Sequence, residues 1–303
     1  MNRKKATLIG LVAILLWGSV VGLIRGVSEN FGAIGGAAMI YTVASVFLFF
    51  TFGLAKIRDF PRRYLIWGSL LFVAYELCFS LSIGYANNDR QAIEVGMVNY
   101  LWPSLTMVAA ILFNQQKSSF WVIPGFFISV LGICWILGGE QGLNIQEMVK
   151  NIQDNPLSYG MAFAGALIWA AYCTITAKLA GGKNGVTFFF MVVAVVLWGQ
   201  YFITGGGTIV FSYRAVIYLV LAASAMGFGY AVWNVGIMHG NVTLLAGASN
   251  FIPVLSAVLA AMILHTPLSM SFWQGTLMVC IGSVICWIAM RTRRAKQSLQ
   301  ESS

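Results

Sequence analysis

Two carboxylates lie in unusual company. Glu76 sits inside the apolar run 64–86, and Glu94 sits near the start of the run 91–113. An ionisable side chain within a membrane span is costly and faces the bundle interior or a water-filled cavity. There a carboxylate can meet a substrate amine or carry a proton. The competing reading is a structural acid paired with a polar neighbour, or for Glu94 an interfacial charge.

Aromatic residues form the second group. Trp17, Trp102, Trp169 and Trp233 fall well inside apolar runs, although tryptophan in membrane proteins usually sits at the interface. Tyr75, Tyr100, Tyr172 and Tyr230 stand beside or near them. Any one of these rings could simply pack the bundle, but as a set they can line a cavity that stacks on flat side chains and attracts cations. Amides come third: Asn99, Asn234 and Asn250. A buried amide needs partners, which another helix or a substrate carboxylate can supply.

Two prolines complete the set. Pro103 and Pro253 have no N–H, so the carbonyls of Asn99 and Ser249, four residues earlier, lose their helical partner. A kink is expected at each, and the two are candidate hinges.

Other chemistries are missing. No phosphate-binding Gly-rich loop and no His-Glu-x-x-His is present. The five cysteines all lie in apolar runs without a Cys-x-x-Cys, and His239 and His265 lie near span ends. No catalytic residue, metal ligand or cofactor is assigned. A membrane-embedded enzyme is the weaker alternative, and a channel lacks a filter-like motif.

The elements that must hold these residues are helices in a membrane. The chain is 59% hydrophobic and 9% charged, with a mean hydropathy of +0.82. Soluble chains are about 25% charged, and a spanning helix needs about 20 apolar residues. Charged loops and Gly/Pro/Asn breaks divide the chain into ten spans: 6–26, 33–55, 64–86, 91–113, 120–138, 157–180, 184–204, 214–238, 241–264 and 271–290. The net charge of +9 does not indicate nucleic acid, because the basic residues lie in loops between apolar runs. Arg25, Arg90, Lys150 and Arg214 fall on one face, and the rest of the 18 Lys and Arg on the other. The positive-inside rule then puts both termini in the cytoplasm and the loop 139–156, with a short surface helix, outside.

The halves resemble each other. At an offset of 150, Pro103 matches Pro253, Leu105 matches Leu255, Gly125 matches Gly275 and Gly132 matches Gly282. At 152, Leu15-Leu16-Trp17 lies over Leu167-Ile168-Trp169. Five spans per half is an odd number, so the second half enters the membrane from the opposite side. Inverted repeats are a transporter signature, with the substrate near the midplane between the halves. The expected fold is an all-α integral membrane protein of ten transmembrane helices in two inverted five-helix repeats. Its parts are a first repeat (6–138), an external connecting loop (139–156), a second repeat (157–290) and a basic cytoplasmic tail (291–303).

Ten spans with a proline in the fourth helix of each half resemble the drug/metabolite transporter superfamily with its paired EamA-type repeats. The segments 5–10, 91–103, 169–174, 233–237, 239–243 and 271–275 resemble most closely its YddG-type aromatic amino acid exporters. The resemblance covers nearly the whole chain. It implies export of aromatic and other amino acids across the bacterial inner membrane by alternating access, with cationic aromatic compounds as the alternative cargo. The implied partners are the lipid bilayer, a small amino acid and protons as a possible coupling ion.

Overall fold

The structure, a computed structural model, describes residues 2–53, 56–207 and 209–300, the side chains of residues 237, 243 and 292–300 excepted. Most of the expected basic tail beyond Arg291 therefore lies outside the described side chains.

Thirteen α-helices are seen among the described residues: α1 Arg3–Phe31, α2 Ala33–Phe52, α3 Arg62–Gly84, α4 Asp89–Asn99, α5 Trp102–Asn114, α6 Val122–Leu137, α7 Ile145–Asp154, α8 Pro156–Leu179, α9 Val186–Ile203, α10 Tyr213–His239, α11 Val242–Ser249, α12 Ile252–Ile263 and α13 Met270–Gln300. Each expected span coincides with one helix or with a pair broken at its proline. Eight segments are long and apolar enough to cross a bilayer, with α4 and α5 taken together, while α6 and α12 are shorter apolar helices. A chain of this kind is an all-α membrane protein, since helices satisfy every backbone group internally. The amphipathic α7 has no buried residue and is the short surface helix expected in the 139–156 loop.

Helix ends follow local chemistry. Asn88, Asn144, Asn155, Ser212 and Asn241 cap α4, α7, α8, α10 and α11, each side-chain oxygen accepting a backbone N–H of the first turn. Helix α1 runs five residues past the expected 26. Arg25 does not end it, because Arg25 is bound by Asp89 at 2.9 Å, Glu29 at 3.2 Å and the Ala86 carbonyl at 2.7 Å.

The packing has a regular pattern. Helix α1 lies along α10 and α12, while α8 lies along α3 and α5. Helices α2 and α9 pair, as do α6 and α13. The α6–α13 contact is the most informative. A Cβ on Gly125 would stand 2.9 Å from the Gly282 carbonyl oxygen, and one on Gly132 2.7 Å from that of Gly275. Small residues let the backbones touch. The offset of 150 carries Gly125 to Gly275 and Gly132 to Gly282, so it turns one glycine contact into the other. Ser129 lies between them, its hydroxyl donating to the Val279 carbonyl at 3.4 Å, and the offset carries residue 129 to 279. Numbers rise along α6 as they fall along α13, so the two helices are antiparallel about a local twofold perpendicular to their length.

Candidate functional site

At mid-length of α1, α3, α8 and α10, and at the C-terminal end of α4, a cavity of about 320 Å³ opens between the helices. Nine of the expected site residues line it: Trp17, Tyr75, Glu76, Asn99, Tyr100, Trp102, Trp169, Tyr230 and Trp233. The aromatic side chains form two walls. Trp17 meets Tyr230 edge-on at 5.3 Å and Trp233 at 5.2 Å. Trp169 meets Tyr75 at 4.4 Å, with Trp102 6.3 Å away. One wall is thus a tryptophan of α1 set on aromatics of α10, the other a tryptophan of α8 set on aromatics of α3 and α5. Gly229 makes the first possible, because a Cβ there would stand 2.6 Å from Trp17 Nε1.

Glu76 is 2% exposed. Tyr41 of α2 donates to its Oε2 at 2.6 Å, and Tyr230 to its Oε1 at 3.5 Å. The Tyr41 hydroxyl is also 2.8 Å from Ser80 Oγ, so Ser80 donates to Tyr41 when Tyr41 donates to the acid. Asn99 Nδ2 donates to the Ala162 carbonyl at 3.2 Å, and its Oδ1 accepts from Tyr75 at 3.5 Å.

The prolines interrupt their helices outright. Helix α4 ends at Asn99 and α5 begins at Trp102, with Pro103 in its first turn; α11 ends at Ser249 and α12 begins at Ile252, with Pro253 likewise placed. The break residues keep φ and ψ near −68° and 9° at Tyr100 and −67° and −12° at Asn250, so the chain runs on without turning back. Asn99, Tyr100 and Trp102 on one break, and Ser249 and Ile252 on the other, line the cavity.

Three expected site residues are not part of the lining. Tyr172 stacks on Trp169 at 4.8 Å and supports that wall. Asn250 bonds inward to the Ala246 and Gly247 carbonyls at 3.0 and 3.3 Å. Asn234 is half-buried outside it. Six lining residues were not anticipated: Val20, Phe79, Cys173, Met226, Ser249 and Ile252. Helical spacing could have found most of them, since Val20, Phe79, Cys173 and Met226 lie three or four residues from Trp17, Tyr75, Trp169 and Tyr230. Ser249 and Ile252 are the offset-150 counterparts of Asn99 and Trp102.

Glu94 belongs elsewhere. It is 5% exposed, accepts from Tyr159 at 2.9 Å and pairs with Arg90 at 3.2 Å. Around it a polar cavity is lined by Asn88, Gln91, Glu140, Glu147, Asn151 and Asp154.

One asymmetry breaks the twofold pattern. Gly18 and Gly22 of α1 pack on α12: a Cβ on Gly18 would be 3.2 Å from Leu255 Cβ, and one on Gly22 3.0 Å from Ala260 Cα. The counterpart helices α8 and α5 are joined where Asn114 Nδ2 donates to the Thr174 carbonyl at 3.1 Å and Lys178 Nζ to the Phe113 carbonyl at 2.7 Å, yet they line a cavity of about 530 Å³. Its lining includes Ala170, Thr174, Leu105, Ala109 and Phe113, the counterparts of Gly18, Gly22, Leu255, Leu259 and Ile263.

The likeness to known proteins matches this architecture. The chain is 58% identical over 293 residues to the aromatic amino acid exporter YddG of Salmonella typhimurium, covering 97% of this chain and 100% of that one. It is 57% identical to YddG of Escherichia coli K12, covering 96% and 99%. The chain belongs to the YddG family of aromatic amino acid exporters. A more distant YddG-named relative, from Ancylobacter novellus, is 25% identical over 86% of the chain. A solved structure described only as the crystal structure of a protein shares the fold, with a TM-score of 0.67 at 20% identity over 96% of this chain. No family model matches. Placed against the YddG family, the central cavity is where helices from both halves of the chain converge.

Proposed function

We propose that the protein exports amino acids, aromatic and other mainly neutral ones, across the bacterial inner membrane by alternating access, with both termini in the cytoplasm. The observation that carries this reading is the central cavity: two aromatic walls, one buried carboxylate and two broken helices in one place, in a chain whose relatives at 57–58% identity are named aromatic amino acid exporters. The aromatic walls receive the side chain. Glu76 receives the ammonium group, and the Tyr100 hydroxyl and the indole N–H groups of the lining serve the carboxylate.

The α6–α13 glycine exchange supports two inverted five-helix repeats. On the charge-derived orientation, the α1–α12 seam packed at Gly18 and Gly22 is external, and the α5–α8 seam that holds the 530 Å³ cavity is cytoplasmic. In the opposite state the two seams exchange: α8 closes on α5 as α1 now closes on α12. The test is counterflow of labelled phenylalanine in proteoliposomes of the purified chain. Trans-stimulation by unlabelled phenylalanine is the expected result, and a signal no greater than in empty vesicles would overturn the reading. Reporter fusions after residue 296 and near residue 147 check the orientation, with a cytoplasmic signal expected only from the first.

A further inference from the structure

The cavity of about 530 Å³ between α5 and α8 differs from the packed seam that is its counterpart. Helix α12 buries residues as far along as Ala260, whereas α5 buries only Pro103 and Ser104 in its first turn. Leu105, Val108 and Leu112 of α5 and Leu167, Ala171 and Ile175 of α8 make an apolar slot. Leu112 is 68% and Leu167 45% exposed, so the slot opens sideways to the bilayer. From Leu105 to Asn114 it follows α5 for about 14 Å at 1.5 Å per residue. That is close to one leaflet of a hydrocarbon core about 30 Å thick. The polar groups stand at one end. There Asn114 Nδ2 donates to the Thr174 carbonyl and Lys178 Nζ to the Phe113 carbonyl. An ammonium has three N–H groups, so two of those on Lys178 remain. Asn114 Oδ1 is buried and has no hydrogen-bond partner. Among the described residues no acid lines the slot, and the sequence holds none between Glu94 and Glu140 or between Asp154 and Glu301.

From this we propose that the slot takes one acyl chain of an anionic phospholipid of the phosphatidylglycerol type from the cytoplasmic leaflet, with its phosphate on Lys178 and a headgroup hydroxyl on Asn114 Oδ1. A gap between apolar side chains leaves them without dispersion partners, and an apolar cavity does not hold water. A lipid chain supplies the missing contacts. At the rim, a zwitterionic lipid would bring an ammonium group beside Lys178 and gain less than an anionic one. The inference rests on the orientation and the exchange of seams proposed above and extends them. When α8 closes on α5 the slot is lost and the chain must leave, so the lipid binds this state better than the other. A ligand with such a difference shifts the population towards the state it prefers. Phosphatidylglycerol therefore holds the α5–α8 seam open and slows the cycle.

The experiment offers the purified full-length chain an equal mixture of phosphatidylglycerol and phosphatidylethanolamine with the same acyl chains, and counts the retained lipid by native mass spectrometry. Phosphatidylglycerol is expected to be retained about fivefold better, the effect of one lysine at an anionic surface. Lys178→Gln keeps a donor for the Phe113 carbonyl and removes the charge, so it should erase that preference. Ala171→Phe fills the slot and should lower retention of both lipids. Lys183→Gln changes a charge outside the slot and should leave the preference intact. Equal retention of the two lipids, or equal loss in Lys178→Gln and Lys183→Gln, would overturn the site. Free oleate retained in place of phosphatidylglycerol would overturn the choice of occupant. Counterflow of labelled phenylalanine in phosphatidylcholine vesicles should fall several-fold when phosphatidylglycerol is added, in the wild type and not in Lys178→Gln. A wild-type rate that does not respond would overturn the link to the transport cycle. Absence of counterflow in every lipid would overturn the amino acid reading and leave the site itself, which retention measures without substrate, standing.

Discussion

The Tyr41 hydroxyl donates a 2.6 Å hydrogen bond to Glu76 Oε2 from a side chain with 0% exposure. The tyrosine comes from α2 and the acid from α3, so the bond holds the carboxylate at the cavity wall from behind. Ser80 steadies the same hydroxyl from one turn along α3. Glu76 is therefore aimed from behind by Tyr41 and Ser80, neither of which lines the cavity, and from the lining by Tyr230.

Tyr41→Phe removes that aim and keeps the ring. Unmaking one hydrogen bond to a buried group costs about 1–3 kcal/mol. We expect a folded protein whose phenylalanine counterflow falls by about tenfold, the equivalent of about 1.4 kcal/mol. Glu76→Gln should impair transport further while eluting as wild type in size-exclusion chromatography. If Glu76 also carries a proton, the wild-type rate depends on pH and the Glu76→Gln rate does not. Wild-type transport by Glu76→Gln would reduce the acid to a packing element.

The aromatic walls predict selectivity. Trp169 touches Tyr75 at 4.4 Å and Trp102 at 6.3 Å, and a ring bound between the walls gains about 0.5–1.5 kcal/mol beyond the area it buries. Trp169→Leu and Trp102→Leu should each weaken competition by phenylalanine or tryptophan several-fold, and competition by threonine less. Equal loss for all three amino acids would point to a general gating defect.

Much of this arrangement could be read from the chain alone, for identifiable reasons. Apolar length fixed the helices, and offset 150 located both breaks. The central aromatics and Glu76 were conspicuous because those residue types are rare in the middle of a span. What failed depends on how each helix is rotated about its axis. Asn250, expected to meet the substrate, instead donates its amide to the Ala246 and Gly247 carbonyls of its own helix, and Ser249 takes the place the offset assigns. Tyr41 went unnoticed because nothing in α2 itself marks one tyrosine as the partner of an acid on the next helix. Helix α1 continues past Arg25, the charge that closes the apolar run, because Asp89 and Glu29 pair with it.

The seam between α1 and α12 predicts a biased gate. A Cβ on Gly22 would lie 3.0 Å from Ala260 Cα and 3.2 Å from Ile263 Cβ. Backbone cannot yield as a flexible side-chain tip can, and overpacking costs about 1–3 kcal/mol. Gly22→Val should therefore disfavour this state and shift the population towards the one with α8 closed on α5. In a cysteine-free background, a single cysteine at Ala109 should become less reactive to a membrane-impermeant thiol reagent when Gly22→Val is added. Unchanged reactivity would mean that the two seams do not alternate.

The broken helices predict the mechanism most directly. Each proline withdraws an N–H from a carbonyl beside the cavity, at Asn99 and at Ser249, and each helix stops there for two residues before resuming. Irregular backbone at membrane depth is stable only where protein or water satisfies it, and the cavity provides that setting. The alternative is a static break needed only for packing. Matched breaks in both halves favour movement, since α5 and α12 can each swing about their own break: α12 now rests on α1, and α5 leaves a cavity of about 530 Å³ against α8. Pro103→Ala and Pro253→Ala restore the missing N–H and can close the helix across the gap. Each should yield a folded protein that transports several-fold more slowly. Pro103→Ala should alter thiol accessibility along the α5–α8 seam, and Pro253→Ala along the α1–α12 seam. The measurement pairs a counterflow rate with labelling of single cysteines from each side of the membrane. Wild-type rates with unchanged labelling in both variants would show that the breaks serve packing and that the hinges lie elsewhere.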